Sequence, residues 1–238
     1  MSAATHLREY TERSNAIHKE YLSDPALYEK YRRFVTWQTD YMLLFYENLR
    51  ISEDYSRAVD FIVSDLTGIG VSERDLDIAR IVPIMSKLLP EKMLRTAAAA
   101  MRLNARVLEI NLSICRAMYR DTSGTDKFSE ADYCAASRQA ANLDECLELI
   151  NLTVEVGRNL DHVIRIPMIG SLLKAMRMPS RLWGFAVIQE FLERGYAIFD
   201  ALEDADKFLD VMGSRMSEVF TRIFTVPIEH LDDTPLKR

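Results

Sequence analysis

The stretch Leu94-Arg95-Thr96-Ala97-Ala98-Ala99-Ala100-Met101-Arg102-Leu103-Asn104-Ala105-Arg106-Val107-Leu108-Glu109-Ile110-Asn111-Leu112-Ser113-Ile114-Cys115-Arg116-Ala117-Met118-Tyr119 decides the fold. Within it Leu94, Ala98, Met101, Ala105, Leu108, Leu112, Cys115 and Tyr119 recur at strictly alternating steps of four and three. That spacing, a period of about 3.5 residues, marks one helical face buried along its whole length. It asks for a nearly parallel or antiparallel partner helix at a shallow crossing angle. The alanines at 97–100 allow that partner to come close.

Working outward, the same periodicity extends over the rest of the chain. A charged, weakly amphipathic helix is expected over 5–22. Ser23-Asp24-Pro25 then reads as an N-cap with proline in the first turn, opening a helix whose face is Leu27, Tyr31, Phe34, Gln38, Tyr41, Phe45 and Leu49. A third helix over 53–66 is ended by Gly68-Ile69-Gly70, and Ser72-Glu73-Arg74-Asp75 has the form of a capping box with Asp in its last place, opening a helix bent or interrupted at Pro83. Beyond the polar connection 121–127, Ser129-Glu130-Ala131-Asp132 is a second such box, and its helix is expected to run to about Ile164. Pro167, Gly170, Pro179 and Gly184 break the next stretch into a short helix and a turn, followed by helices over about 181–201 and 204–224. No alternating strand pattern and no fixed repeat occurs. The expected fold is all-α, a multi-helix bundle of about eight helices over 1–225. It forms a single compact domain or two closely packed lobes, 1–120 and 129–225, with a polar C-terminal tail over 226–238.

Composition narrows the function classes. With 48% apolar residues in 238, the chain has ample material for a core. Three cysteines at 115, 134 and 146 form no disulfide framework or metal spacing, which points to a reducing compartment. The first residues carry charge from Arg8 onward and no apolar run, so no signal peptide is expected. The longest uncharged runs, 166–173 and 182–189, are far short of the ~20 residues that span a bilayer. A cytoplasmic location follows, with attachment at the inner membrane face as an option. The net charge of −6 argues against a dedicated nucleic-acid binder. Its distribution is uneven: residues 120–157 carry 3 basic and 8 acidic side chains, 158–181 carry 5 and 1, and 182–238 carry 6 and 11.

Several strings carry a family resemblance: Trp37-Gln38-x-x-Tyr41, Ala58-Val59-Asp60-Phe61-Ile62-Val63-Ser64-Asp65-Leu66, Arg74-Asp75 and Leu88-Leu89-Pro90. Later come Gly157-Arg158, Pro167-x-Ile169-Gly170 and the stretch from Gln189 to Gly195. On these the chain resembles a family of bacterial helical proteins named after an FFLEELY motif, over most of its length. The naming motif is degenerate here: Phe61-Ile62-Val63-Ser64-Asp65-Leu66-Thr67-Gly68 lacks the second aromatic, one carboxylate and the tyrosine. The resemblance implies an all-α fold. It implies no catalytic residues, since that family has no established activity.

Tests for chemistry in the residues themselves come out empty. A di-iron bundle needs paired Glu-x-x-His motifs, and none of His6, His18, His162 and His230 has Glu three residues earlier. His18 reads as a surface side chain, with a haem ligand as the alternative. Residues 121–126 have the flavour of a calcium loop but lack its glycine and terminal glutamate. Phosphate-loop and nucleophile-elbow patterns are missing. Cys134 and Cys146, taken to share one helix, point apart and read as core residues. Asp60 with Asp65, and Asp75 with Asp77, do not share a face and read as surface charge. No catalytic residue, metal site or cofactor is therefore assigned.

Two constellations are left. Trp37, Gln38 and Tyr41 form a candidate ligand-binding cluster, because a polar side chain on an apolar face needs partners: a small molecule, or another side chain where helices cross. Between His162 and Gln189, Arg165, Lys174, Arg177 and Arg181 stand without a single acidic residue, interleaved with Ile166, Met168, Ile169, Leu172, Leu173, Met176, Met178 and Trp183. That composition suits an anionic membrane surface or an acidic protein partner. It equally suits apolar residues in a core, with the basic ones paired to the acidic segments around them. The leading expectation is a helical interaction or adaptor protein acting through this basic segment rather than an enzyme. The alternative is a small-molecule- or cofactor-binding bundle around Trp37, Gln38 and Tyr41.

Overall fold

Helix caps and one long apolar seam set the architecture in the computed structural model, which describes residues 2–50, 53–65, 71–121 and 128–231. The helices are α1 (Ala3–Leu22), α2 (Pro25–Phe45), α3 (Glu53–Asp60), α4 (Val71–Leu88), α5 (Glu91–Asp121) and α6 (Glu130–Ala140). They are followed by α7 (Leu143–Ile164), α8 (Ile169–Ala175), α9 (Arg177–Leu182), α10 (Ala186–Asp200) and α11 (Ala205–Thr225). The described residues contain no strand, so the fold is all-α. Asp24 caps α2 through its carboxylate, which accepts from the backbone N–H groups of Ala26 and Leu27 at 3.0 and 3.2 Å, with Pro25 in the first turn. Ser129 and Asp132 form a reciprocal capping box that opens α6.

All eight seam residues of α5 are buried. Its principal partner is α1, and the polar links between them advance along both helices together, from Ala3–Glu91 at one end, through Arg13–Glu109 and Ser14–Asn104, to Glu20–Arg116 at the other. The two helices therefore run parallel, in the shallow packing that the 3.5-residue period requires. Around the C-terminal half of α5 the main core gathers Tyr31 and Phe34 of α2, Tyr133 and Cys134 of α6, and Val219 and Ile223 of α11. Around its N-terminal half Leu94 and Met101 pack with Leu7 of α1 and Val82 of α4. A third cluster joins Val59 of α3 and Ile62 to Phe208, Leu209 and Met212 of α11. α7 and α11 are antiparallel and close: a Cβ on Gly213 would lie 2.7 Å from a Val154 methyl, and one on Gly157 would lie 2.7 Å from Leu209.

Several boundaries differ from expectation, each for a local reason. The helices outnumber the eight expected, partly because the helix opened by Ser129 stops at Ala140. Ala141 is extended, and Asn142 caps a new helix by accepting from the Glu145 N–H at 2.9 Å. Cys134 and Cys146 thus sit on two helices. α4 begins at Val71, so Ser72 lies inside it, and the helix continues through Pro83. α3 ends at Asp60 and passes into a π turn over Phe61–Asp65, while Gly68 and Gly70 lie outside the described residues. The tight turn at Gly184, φ +74°, separates α9 from α10, where one helix from 181 was expected.

Leu108, at the middle of the seam, tests this arrangement. Leu108→Ala is expected to cost about 2–5 kcal/mol, and the exposed Arg102→Ala no more than about 0.5 kcal/mol. Denaturant midpoints compare the two, and equal losses would place the wrong face of α5 inward.

Candidate functional site

The first candidate cluster is tightly built into the fold. Trp37 stacks on Tyr41 with ring centres 5.1 Å apart and planes 7° from parallel, and meets Phe128 and Tyr133 at 5.9 and 5.4 Å. The Gln38 amide nitrogen donates to Asn111 Oδ1 of α5 and to the Tyr133 hydroxyl of α6, both at 3.0 Å. Both hydrogens of that amide are accounted for by protein. The Tyr41 hydroxyl donates to Glu130 at 2.9 Å, and Glu130 also holds Arg222 of α11. Burial raises the Tyr41 hydroxyl well above the usual phenol range, with Cys134 and Glu130 adding to it, so it stays a donor. The cluster knits α2 to α5, α6 and α11. Trp37 Nε1 is buried with no hydrogen-bond partner among the described residues.

A second polar cluster was not foreseen. His18 is not a surface side chain: it is fully buried on α1, where Nδ1 meets the Tyr21 hydroxyl at 2.6 Å and Nε2 meets Asp75 at 2.8 Å. Asp75 of α4, equally buried, also receives Arg74 at 3.0 Å and Asn104 of α5 at 2.6 Å. Asn104 reaches on to Ser14 of α1. A neutral imidazole fits both of its bonds, donating from Nε2–H and accepting at Nδ1. Asp75 and Asp77 are thus buried, not part of a charged surface. The Tyr–His–Asp order resembles a proton relay, yet the side chains touch one another and lie within the core. Their described role is to hold α1, α4 and α5 together.

The basic segment lies at the corner built by α8, α9 and the start of α10. α8 buries none of its residues and α9 buries only Ser180. Polar clasps hold them instead. The Gln189 amide donates to the Leu173 carbonyl at 2.7 Å, and Arg80 of α4 donates to the carbonyls of Gly184 and Trp183 at 3.1 and 3.3 Å. α10 is fastened in turn by Phe191, which stacks on Phe61 at 5.3 Å and lies under the Arg74 guanidinium at 4.7 Å. Arg165 pairs with Asp161 at 2.8 Å and Arg177 pairs with Glu193 at 2.6 Å, while Lys174 and Arg181 are exposed. None of the apolar members is fully buried, although Ile169, Leu173 and Met176 are half-buried. Met168 is 80% exposed, Leu182 78%, Met178 64% and Trp183 55%. Met168 also holds a left-handed backbone, φ 77°, unique among the described non-glycine residues, a conformation that costs on the order of 1–3 kcal/mol.

A groove of about 970 Å³ runs between α7 and α11, lined by residues such as Asn151, Arg158, Ser214 and Ser217, with none from α8 to α10. Among the described residues no group of three or more His, Cys, Asp or Glu side chains is placed to hold a metal ion. The stretch with calcium-loop flavour lies almost wholly outside them. No described helix is long and apolar enough to cross a membrane. A family model described as a domain of unknown function (DUF8198) matches residues 18–228. No curated protein and no solved structure matches.

Two outcomes test this geometry. Asp75→Ala removes the charged partner of the buried Arg74 guanidinium and is expected to cost about 3–5 kcal/mol; Asp60→Ala, which breaks an exposed pair with Arg50, should cost no more than about 1 kcal/mol. Equal unfolding midpoints would remove the network from its central place. Burial pushes the Cys115 thiol up to about 12 and those of Cys134 and Cys146 up to about 11. Raised values keep all three protonated at neutral pH, so a maleimide should label none until denaturant is added.

Proposed function

Because the chain belongs to this family of unknown function, we propose its role from its own surface: it attaches peripherally to an anionic lipid surface through the α8–α10 corner. The observation that carries this is the concentration of exposed apolar side chains. Of the fourteen large ones among the described residues, nine fall within residues 160–192, the region that also holds the chain's basic segment. Isolated exposed leucines need no explanation, but a cluster on weakly anchored short helices does. Met168, Leu172, Met178 and Leu182 are 57–80% exposed and none lines the groove between α7 and α11. Apolar side chains this exposed suit a deformable hydrocarbon boundary, whereas a helical partner is better received by a cleft. Trp183 has the amphipathic ring that favours the headgroup level.

Magnitudes assign the roles. Lys174 and Arg181 would contribute about 1 kcal/mol each near an anionic surface, which alone gives only millimolar-range or weaker attachment. Each fully inserted Leu, Met or comparable side chain adds about 1.5–3 kcal/mol. Insertion therefore supplies most of the affinity, and charge selects the surface. On this reading the protein works at the inner face of the cytoplasmic membrane. That its family is the bacterial one named for the FFLEELY motif is part of the same proposal, supported by Trp37-Gln38-x-x-Tyr41 and the string 58–66.

The test is cosedimentation with vesicles of phosphatidylcholine, with and without phosphatidylglycerol. Binding is expected to be about thirtyfold tighter with the anionic lipid than without it, together with a blue shift of tryptophan emission that Trp183→Phe removes. Lys174→Glu with Arg181→Glu should weaken binding by about thirtyfold or more. Arg177→Glu is the poorer probe, since it also breaks the clasp to Glu193. Raised salt should weaken binding only in part, because screening acts on the charges and not on inserted apolar groups. Equal binding to neutral vesicles, or none to either, would sink the reading.

A further inference from the structure

Among the described residues the sulfur-bearing side chains differ widely in exposure, with Met42, Met85, Met93, Met176 and Met216 half-buried between the extremes. All three cysteines are buried, and Met101, Met118 and Met212 are at most 5% exposed. Among the described residues the two most exposed methionines are Met168, at 80%, and Met178, at 64%, and both lie in the corner proposed to face lipid. Met168 is held outward by the backbone itself: its left-handed conformation follows the turn after α7, and its carbonyl accepts from the Leu172 N–H at 2.8 Å inside α8. Met178 follows Arg177, whose pairing to Glu193 anchors the start of α9.

We propose that Met168 and Met178 are an oxidative modification site at which a hydroperoxide converts both thioethers to sulfoxides and releases the protein from the lipid surface. The proposal rests on the lipid-docking reading given above. In each reaction a sulfur lone pair attacks the terminal peroxide oxygen. The sulfur–oxygen bond forms as the oxygen–oxygen bond breaks, and the departing hydroxide or alkoxide takes up a proton to leave as water or alcohol. Sulfur is oxidised by two electrons and the peroxide is reduced by two. The product side chain is polar and a strong hydrogen-bond acceptor, so it no longer enters hydrocarbon, and sulfoxide reductases restore the thioether. The thiols do not compete for the oxidant, because each is enclosed in the core and burial keeps it protonated.

Dilute hydrogen peroxide on the full chain, followed by peptide mass mapping, is expected to place the first added oxygens on Met168 and Met178 and to spare Met101, Met118 and Met212. Partitioning onto phosphatidylglycerol-containing vesicles should then fall roughly tenfold or more and return after treatment with methionine sulfoxide reductases. Met168→Leu with Met178→Leu, measured against its own untreated level, should lose no binding after peroxide. Oxygen appearing first on the buried methionines, or undiminished binding with both sites oxidised, overturns the switch while leaving the docking reading in place. Failure of the untreated chain to bind any anionic vesicle overturns both, and the mass map still shows independently which sulfurs react.

Discussion

The Asp75 carboxylate holds this structure at its most expensive point. A charge with no solvent exposure loses several kcal/mol of hydration, and only close, complete pairing offsets that loss. Here the partners come from three helices: Arg74 on α4 itself, His18 on α1 and Asn104 on α5. None of these helices can slide or rotate against the others without leaving the charge uncovered. The parallel α1–α5 pair sets the axis of the molecule, and the network sets its register. Apolar packing alone, tolerant of small shifts between similar side chains, would specify that register less sharply.

From this point the constraint reaches the surface. The Arg74 that balances Asp75 also lies over Phe191, and Phe191 stacks on Phe61 beside Gly195, where a Cβ would sit 2.9 Å from the Phe61 ring. α10 is thereby fixed against α4 and the π turn. α8 and α9 add little to the core: α8 approaches α10 closely where Gly170 meets the Tyr196 ring, and both are clasped through Gln189, Arg80 and Arg177. Held by polar clasps, they leave their apolar side chains free for another surface.

The aromatic cluster of Trp37, Tyr41, Phe128 and Tyr133 occupies the opposite situation. It was a candidate binding site because one glutamine interrupts an apolar face. The structure supplies that glutamine with Asn111 and Tyr133, residues 73 and 95 positions away in sequence. A half-buried amide satisfied on both hydrogens contributes to the specificity of helix crossing.

The sequence by itself determined the all-α class, the buried face of α5, the caps at Asp24 and Ser129, and the place of the basic segment. These features depend on neighbours within about four residues, on helical periodicity, or on composition, all of which are written in the chain order. The break at Asn142 was also local, but it was masked by apolar spacing that continues through it. Only the tertiary structure decided that His18 is buried, because its partner Asp75 is 57 residues away. It likewise decided which way the apolar side chains around Arg165 to Trp183 face. A run such as Met168-Ile169-Gly170-Ser171-Leu172 reads the same whether it covers a core or solvent. Its fate depends on how much surface α10 and α4 leave open, a quantity that exists only once those helices have packed.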